Sequence, residues 1–160
     1  MASNDKFARN LVKGKIAETV FAQMLRETNE FIVIDFGYEK VVPNLVQNDY
    51  SYDEKSGTIE TLRTAPDFAV INQKTKEVSL IEVKYMHFLS KENTYDAAAR
   101  MHQSWNPSYL FIATQDGFYF DEINNIVEHE GSISPLKHPQ IPPEIVDRYL
   151  QILKDFEGDN

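Results

Sequence analysis

Hydrophobic and polar residues alternate along the chain with two different periods, which separate helices from strands. Apolar residues recur every three to four positions over 6–28 and 143–156, and this spacing predicts two amphipathic helices. A third helix is predicted over 93–104, because an alanine-rich stretch there stops before Asn106-Pro107. Short runs rich in β-branched and aromatic residues predict strands over 31–42 with a kink at Gly37, and over 67–72, 78–85, 109–114 and 118–120.

The connections between these elements indicate how they are arranged. Strands 67–72 and 78–85 flank a short polar turn, so they form a predicted β-hairpin. The polar stretch 43–63 is expected to hold a short hairpin or a mobile loop, and 128–142, with one glycine and three prolines, is expected to be mostly loop. This mixed order predicts an α/β sandwich over a mixed β-sheet.

Composition limits the class of protein. The chain has 160 residues, 42% hydrophobic and 26% charged, which predicts one globular domain over 1–160. We expect its core over about 6–120 and an acidic extension with the final helix over about 121–160. The absence of cysteine excludes disulfides, thiolate metal sites and cysteine nucleophiles. No apolar run approaches the ~18 residues of a membrane span, and we expect a cytoplasmic protein with no membrane association.

Charge is distributed unevenly. The formal net charge is −9, and residues 116–160 contain 3 basic and 10 acidic side chains. The overall acidity argues against a nucleic-acid partner, and the acidic C-terminal third would suit a protein partner. Residues 1–15 nevertheless have a net charge of +3, and a local basic surface is enough to attract phosphate.

The predicted hairpin brings together side chains that carry chemistry. Glu82 and Lys84 are two residues apart on one strand, so they point to the same face, while Val83 points to the other. Asp67 opens the preceding strand, and the hairpin can bring it alongside Glu82. A solvated strand face would explain Glu82 and Lys84 alone, but charged residues inside such an apolar strand, together with Asp67, favour a site.

Two adjacent carboxylates repel each other unless their pKa values rise or they share a cation. Mg²⁺ is the expected cofactor for such a pair, with Mn²⁺ as a substitute. Lys84 beside the metal could orient a water molecule or stabilise the charge that develops on a phosphate. These side-chain types suit phosphodiester hydrolysis.

The motif Pro66-Asp67…Glu82-Val83-Lys84 resembles that of the PD-(D/E)XK nuclease superfamily. The segment Lys13-Gly14-Lys15-Ile16-Ala17-Glu18 resembles the first helix of such enzymes and is most similar to archaeal-type Holliday-junction resolvases. The likeness covers roughly the first 115 residues. It implies a restriction-endonuclease-like three-layer sandwich with an αβββαβ core, in which a central mixed sheet is flanked by helices.

The resemblance also implies roles for individual residues. Asp67 and Glu82 would bind the metal, Lys84 would act on the water or the phosphate, and Glu18 would be an additional metal ligand, unless it is an ordinary exposed glutamate. Candidates for contact with nucleic acid are Lys13, Lys15, Arg100 and Gln103, for which a solvated helix surface is the alternative.

The sequence therefore predicts a Mg²⁺-dependent endonuclease that hydrolyses DNA, with a junction-specific or repair-type enzyme as one form. Such a domain is expected to act as a homodimer, because two strands need two cuts. The alternative is a catalytically silent nuclease-fold module that binds a protein partner, for which the net charge of −9 is the main support.

Overall fold

The computed structural model describes residues 2–37, 61–62 and 64–158 of an α/β protein. In chain order, its elements are α1 (Ala2–Glu27), β1 (Phe31–Asp35), β2 (Phe68–Asn72), β3 (Val78–Tyr85), α2 (Lys91–Ser104), β4 (Tyr109–Thr114), β5 (Gly117–Glu122), α3 (Ile123–Glu128) and α4 (Pro143–Gly158). None of the helices in these ranges is long and apolar enough to cross a membrane.

The strands form one open mixed sheet in the order β1-β2-β3-β4-β5. The pairs β1–β2, β2–β3 and β4–β5 are antiparallel, whereas β3 and β4 are parallel. The parallel pair requires a crossover connection, which α2 provides. The predicted mixed sheet and the predicted hairpin of β2 and β3 are both confirmed.

Apolar side chains cover both faces of the sheet. On one face, alternate residues of β2, β3 and β4 pack in one cluster with α1, and α4 adds Leu153 to it; members of this cluster include Phe21, Met24, Phe68, Ile81, Val83 and Phe111. On the other face, Leu110 and Ile112 of β4 pack with residues of α2 and α3. Helices therefore flank the sheet on both sides, and the acidic C-terminal third helps to build the main core.

Several element boundaries differ from those predicted. The strand predicted over 31–42 ends at Asp35, because Gly37 adopts a positive φ of 23° that extended backbone does not allow. Residues 38–42, and the hairpin or loop expected over 43–63 apart from 61–62, lie outside the described residues. The helix predicted from residue 6 already begins at Ala2.

The other differences lie in the C-terminal half. The helix predicted over 93–104 begins at Lys91, because the Ser90 hydroxyl accepts a hydrogen bond from the Asn93 amide at 3.1 Å and caps it. The strand predicted over 118–120 spans Gly117–Glu122. The short helix α3 was not predicted; it forms because Ile123 and Ile126 lie three residues apart and bury one helical face.

Gly131 follows α3 in the chain and packs against Lys91, the first residue of α2. Its φ is +101°, and a Cβ atom there would lie 2.2 Å from the Lys91 carbonyl oxygen. We expect Gly131→Ala to lower the free energy of unfolding by about 1–3 kcal/mol or more, because both the backbone conformation and the contact become strained. Urea denaturation measures this loss.

Gly117→Ala is the matched control, because no atom lies within 4 Å of the position of its added Cβ. We expect the control to change the free energy of unfolding by less than about 0.5 kcal/mol. Equal losses in the two variants would contradict the packing of Gly131 against α2.

Candidate catalytic site

Asp67 lies where strand β3 continues past the end of β2. The paired residues of the two strands end with Phe68 opposite Ile81, and one further step along this register places Asp67 opposite Glu82. The amide of Val83 donates a hydrogen bond to Oδ2 of Asp67 at 2.9 Å. On the other side, the Asp67 carbonyl accepts a hydrogen bond from the Phe36 amide at 2.9 Å. The Asp67 backbone and side chain are thus fixed to both neighbouring strands.

Strand β3 directs its charged and apolar residues to opposite faces, as predicted. Ile81 and Val83 are buried in the main core, being 3% and 6% exposed. Glu82 and Lys84 are half-buried on the opposite face, where Nζ of Lys84 lies 3.6 Å from Oε2 of Glu82. Because Ile81 and Val83 are buried on one face of the sheet, the ion pair of Glu82 and Lys84 is held on the other face.

Helix α1 supplies a third carboxylate to this end of the sheet. Ala17 and Phe21 are buried in the core, which leaves the adjacent Glu18 half-buried at the edge of the helix. Glu18 forms an ion pair with Lys15 at 3.3 Å and also interacts electrostatically with Asp67.

One surface depression of about 660 Å³ gathers the predicted catalytic side chains. Glu18, Asp67, Glu82 and Lys84 all line it, together with Lys13. Gly14, from the segment that resembles the first helix of PD-(D/E)XK nucleases, also lines it, as do residues that were not predicted for the site, among them Asn10, Tyr85, His87 and Asn93. Helical spacing could have predicted the positions of Asn10 and Gly14. They precede Glu18 by eight and four residues, so all three lie on one face of the helix.

Burial and mutual repulsion shape the protonation of the carboxylates. Burial, reinforced by the neighbouring Glu82, raises the pKa of Asp67 from 3.8 to about 8, although the hydrogen bond from Val83 opposes the shift. Burial and the proximity of Asp67 likewise raise the pKa of Glu18, against the opposing effect of Lys15. Without a cation, Asp67 therefore retains a proton at neutral pH.

The donor set fits a hard divalent cation, although it is not yet arranged around one. Within the three described ranges, no group of three or more His, Asp or Glu side chains is already placed to hold a metal ion. The candidate ligands Asp67, Glu82 and Glu18 offer carboxylate oxygens, the type that Mg²⁺ and Mn²⁺ prefer. A bound cation would replace the proton on Asp67 and compete with Lys84 for Glu82, so Asp67 and Glu82, with Glu18 beside them, are the residues that would hold it.

The predicted nucleic-acid contacts occupy different places. Lys13 lines the depression, and its Nζ lies 5.4 Å from the centroid of the Tyr85 ring. Lys15 does not line it but pairs with Glu18 at its edge. Arg100 and Gln103 are exposed on α2 and do not line the depression. The geometry therefore brings Lys13 and Lys15 to the carboxylates, but not Arg100 and Gln103.

The raised pKa of Asp67 predicts how stability depends on pH in a chelator. Between about pH 4 and pH 8 the folded protein holds a proton on Asp67 that the unfolded chain has released. The free energy of unfolding should therefore fall as the pH rises through this window. We expect Asp67→Asn to flatten this dependence, because the amide oxygen can still accept the Val83 hydrogen bond and carries no charge.

Urea denaturation in EDTA at several pH values measures the effect. The control is Asp96→Asn, which changes an exposed carboxylate on α2. The gain in unfolding free energy from Asp67→Asn should grow from pH 5 to pH 8, while the control runs parallel to the unmodified protein. Parallel curves for both variants would contradict the protonated state of Asp67.

Two comparisons with known proteins give no relative. No family model matches this chain, and none of the curated proteins matches it either.

Proposed function

We propose that the chain is a metal-dependent endonuclease that hydrolyses DNA phosphodiester bonds at the depression lined by Asp67, Glu82 and Lys84. One observation carries the proposal: the amide of Val83 donates a hydrogen bond to the Asp67 carboxyl group. Val83 lies between Glu82 and Lys84 in the sequence, so this bond brings Asp67 to the other two motif residues, and all three line the same depression. Glu18 from α1 adds a third carboxylate to the same place.

The order of elements supports a restriction-endonuclease-like fold. The run α1-β1-β2-β3-α2-β4 agrees with the αβββαβ core that the sequence resemblance implies. Helices on both faces of the sheet agree with a three-layer arrangement. The PD-(D/E)XK superfamily is therefore part of the proposal, with Asp67, Glu82 and Lys84 as its motif residues.

Each side chain has a distinct role in the proposed reaction. A divalent cation at Asp67 and Glu82 would polarise the scissile phosphate and lower the pKa of a nearby water. Val83 holds Asp67 in place through its amide, and Glu18 contributes further negative charge for the cation. Lys84, held beside Glu82, stabilises the charge that builds on the phosphate during in-line attack. The products are a 3′-hydroxyl and a 5′-phosphate.

Lys84→Ala tests the proposal because Lys84 is half-exposed and its loss leaves the core intact. Cleavage should be measured with Mg²⁺ or Mn²⁺ on plasmid, linear duplex, four-way junction, flap and single-stranded DNA. We expect the variant to lose about 100-fold or more in cleavage rate, because a preorganised charge at the phosphate is removed. The preferred substrate would identify the type of nuclease.

Lys74→Ala is the matched control, because Lys74 is exposed in the turn at the far end of the same hairpin. The control should cleave like the unmodified protein. Equal cleavage by Lys84→Ala and the control would show that Lys84 has no catalytic role.

The second candidate function, a silent module that binds a protein partner, is favoured by one surface feature besides the net charge of −9. A groove between α1 and α4 is lined mostly by apolar residues, and Leu11, Val12 and Phe156 in it are 56%, 58% and 56% exposed. Exposed apolar side chains that adjoin one another favour protein contact. A folded protein that cuts none of the substrates with either metal would favour this function.

Gly14 provides a separate test of substrate approach. It lies in the interior of α1, where glycine costs about 0.5–1 kcal/mol relative to alanine, and no atom lies within 4 Å of an added Cβ. Packing within the described chain therefore does not require glycine. Because Gly14 lines the depression, we expect Gly14→Ala to stabilise the fold by about 0.5–1 kcal/mol while lowering kcat/KM for DNA cleavage.

Unfolding in urea and cleavage kinetics on the same preparations measure the two effects. Gly117→Ala is the control for adding a methyl group at an open position away from the depression. Higher stability with unchanged kcat/KM in Gly14→Ala would contradict a close approach of substrate to α1.

A further inference from the structure

A second depression of about 540 Å³ adjoins the carboxylate site. Lys13 and His87 line both depressions, so the two are continuous at these side chains. Arg9 and Lys154 complete the basic lining of the second one. A basic surface thus begins where the carboxylate site ends.

The basic side chains reach this place from separate parts of the chain. Arg9 and Lys13 are four residues apart and lie on the same face of α1. Lys154 comes from α4 near the end of the chain, and His87 comes from the segment between β3 and α2. The fold therefore brings Lys154 and His87 beside Arg9 and Lys13, although they are distant from these two residues in the sequence.

The local charge contrasts with that of the whole protein. The second depression is lined by one arginine and two lysines, against two acidic residues, Asp116 and Glu157. Glu157 also accepts the hydroxyl hydrogen bond of Tyr85. Across the whole chain, 25 acidic residues outnumber 16 basic ones, so this depression reverses the overall balance.

We infer that Arg9, Lys13 and Lys154 form a track that binds the phosphate backbone of the DNA next to the phosphate that is cut. The inference rests on the proposed nuclease function, because the track is placed relative to the carboxylate site. Lysine and arginine side chains bind the phosphates of a nucleic-acid backbone, and these contacts do not depend on the base sequence. Asn4 to Val12 are all exposed, so the first turns of α1 stand open beside this path.

The track differs from the contact surface predicted on α2. Arg100 and Gln103 line neither the carboxylate depression nor the basic one. DNA held by Arg9 and Lys154 would leave the site over the basic depression, whereas DNA held by Arg100 would cross α2. Charge removal at each surface distinguishes the two paths.

The test measures binding of a short fluorescein-labelled DNA duplex by fluorescence anisotropy, without divalent metal, over a series of NaCl concentrations. Arg9→Gln/Lys154→Gln should weaken binding and lower the slope of log K against log salt by about 2, because each phosphate contact contributes about 0.9. Lys13 is left unchanged in this variant, because it also lines the carboxylate site.

Two further variants serve as comparisons. Lys74→Gln/Lys137→Gln removes the same charge from exposed positions outside both depressions and should leave the slope unchanged. Arg100→Gln/Gln103→Ala tests the path across α2 and should also leave it unchanged. A double variant at Arg9 and Lys154 that matches the control overturns the track, as does a wild-type protein that binds no duplex at low salt.

Cleavage by the same preparations separates this inference from the proposed function. DNA cutting by the wild-type protein together with an unchanged slope in Arg9→Gln/Lys154→Gln overturns the track and leaves the nuclease. A lowered slope in that variant without any cutting by the wild type supports DNA binding at Arg9 and Lys154 but overturns the nuclease, and with it the placement of the track beside a phosphate that is cut.

Discussion

The hydrogen bond from the Val83 amide to the Asp67 carboxylate joins the fold to the site. It satisfies an amide beyond the last paired residues of β2 and β3, and it holds a carboxylate opposite Glu82. A hydrogen bond to a charged group contributes about 1.5–3 kcal/mol, which helps to offset the cost of burying Asp67. The remaining cost appears as a raised pKa, so the site favours either a proton or a cation.

The same helix and strand that build the core also position the side chains of the candidate site. In β3, Ile81 and Val83 enter the main core while Glu82 and Lys84 lie on the opposite face. In α1, Phe21 packs inward while Gly14 and Glu18 line the depression. Because core residues and site residues lie on the same strand and the same helix, the packing of the core fixes where the site residues lie. A loop could not fix two carboxylates beside each other as firmly.

Local periodicity was sufficient to predict the parts of the site that one hairpin creates. The register of β2 and β3 brings Asp67 to Glu82, and strand alternation separates Val83 from Glu82 and Lys84, so these positions followed from the sequence. The end of β1 did not, because it depends on the positive φ of Gly37.

The features that could not be predicted from the sequence depend on packing between distant parts of the chain. Helix α3 is only six residues long, and its apolar face is evident only once Ile123 and Ile126 meet the sheet. Arg9 and Lys154 line one depression because α4 packs against α1, and the spacing of residues along the chain does not predict that packing. The overall charge of −9 conceals this basic surface for the same reason.

Anomalous scattering from a crystal of the protein grown with Mn²⁺ tests the proposed metal-dependent centre most directly. We expect an anomalous peak within bonding distance of carboxylate oxygens of Asp67 and Glu82, and no such peak in Asp67→Asn crystals grown in the same way. A protein that binds Mn²⁺ only elsewhere, or not at all, at a pH where Asp67 can release its proton would contradict the proposed metal-dependent nuclease.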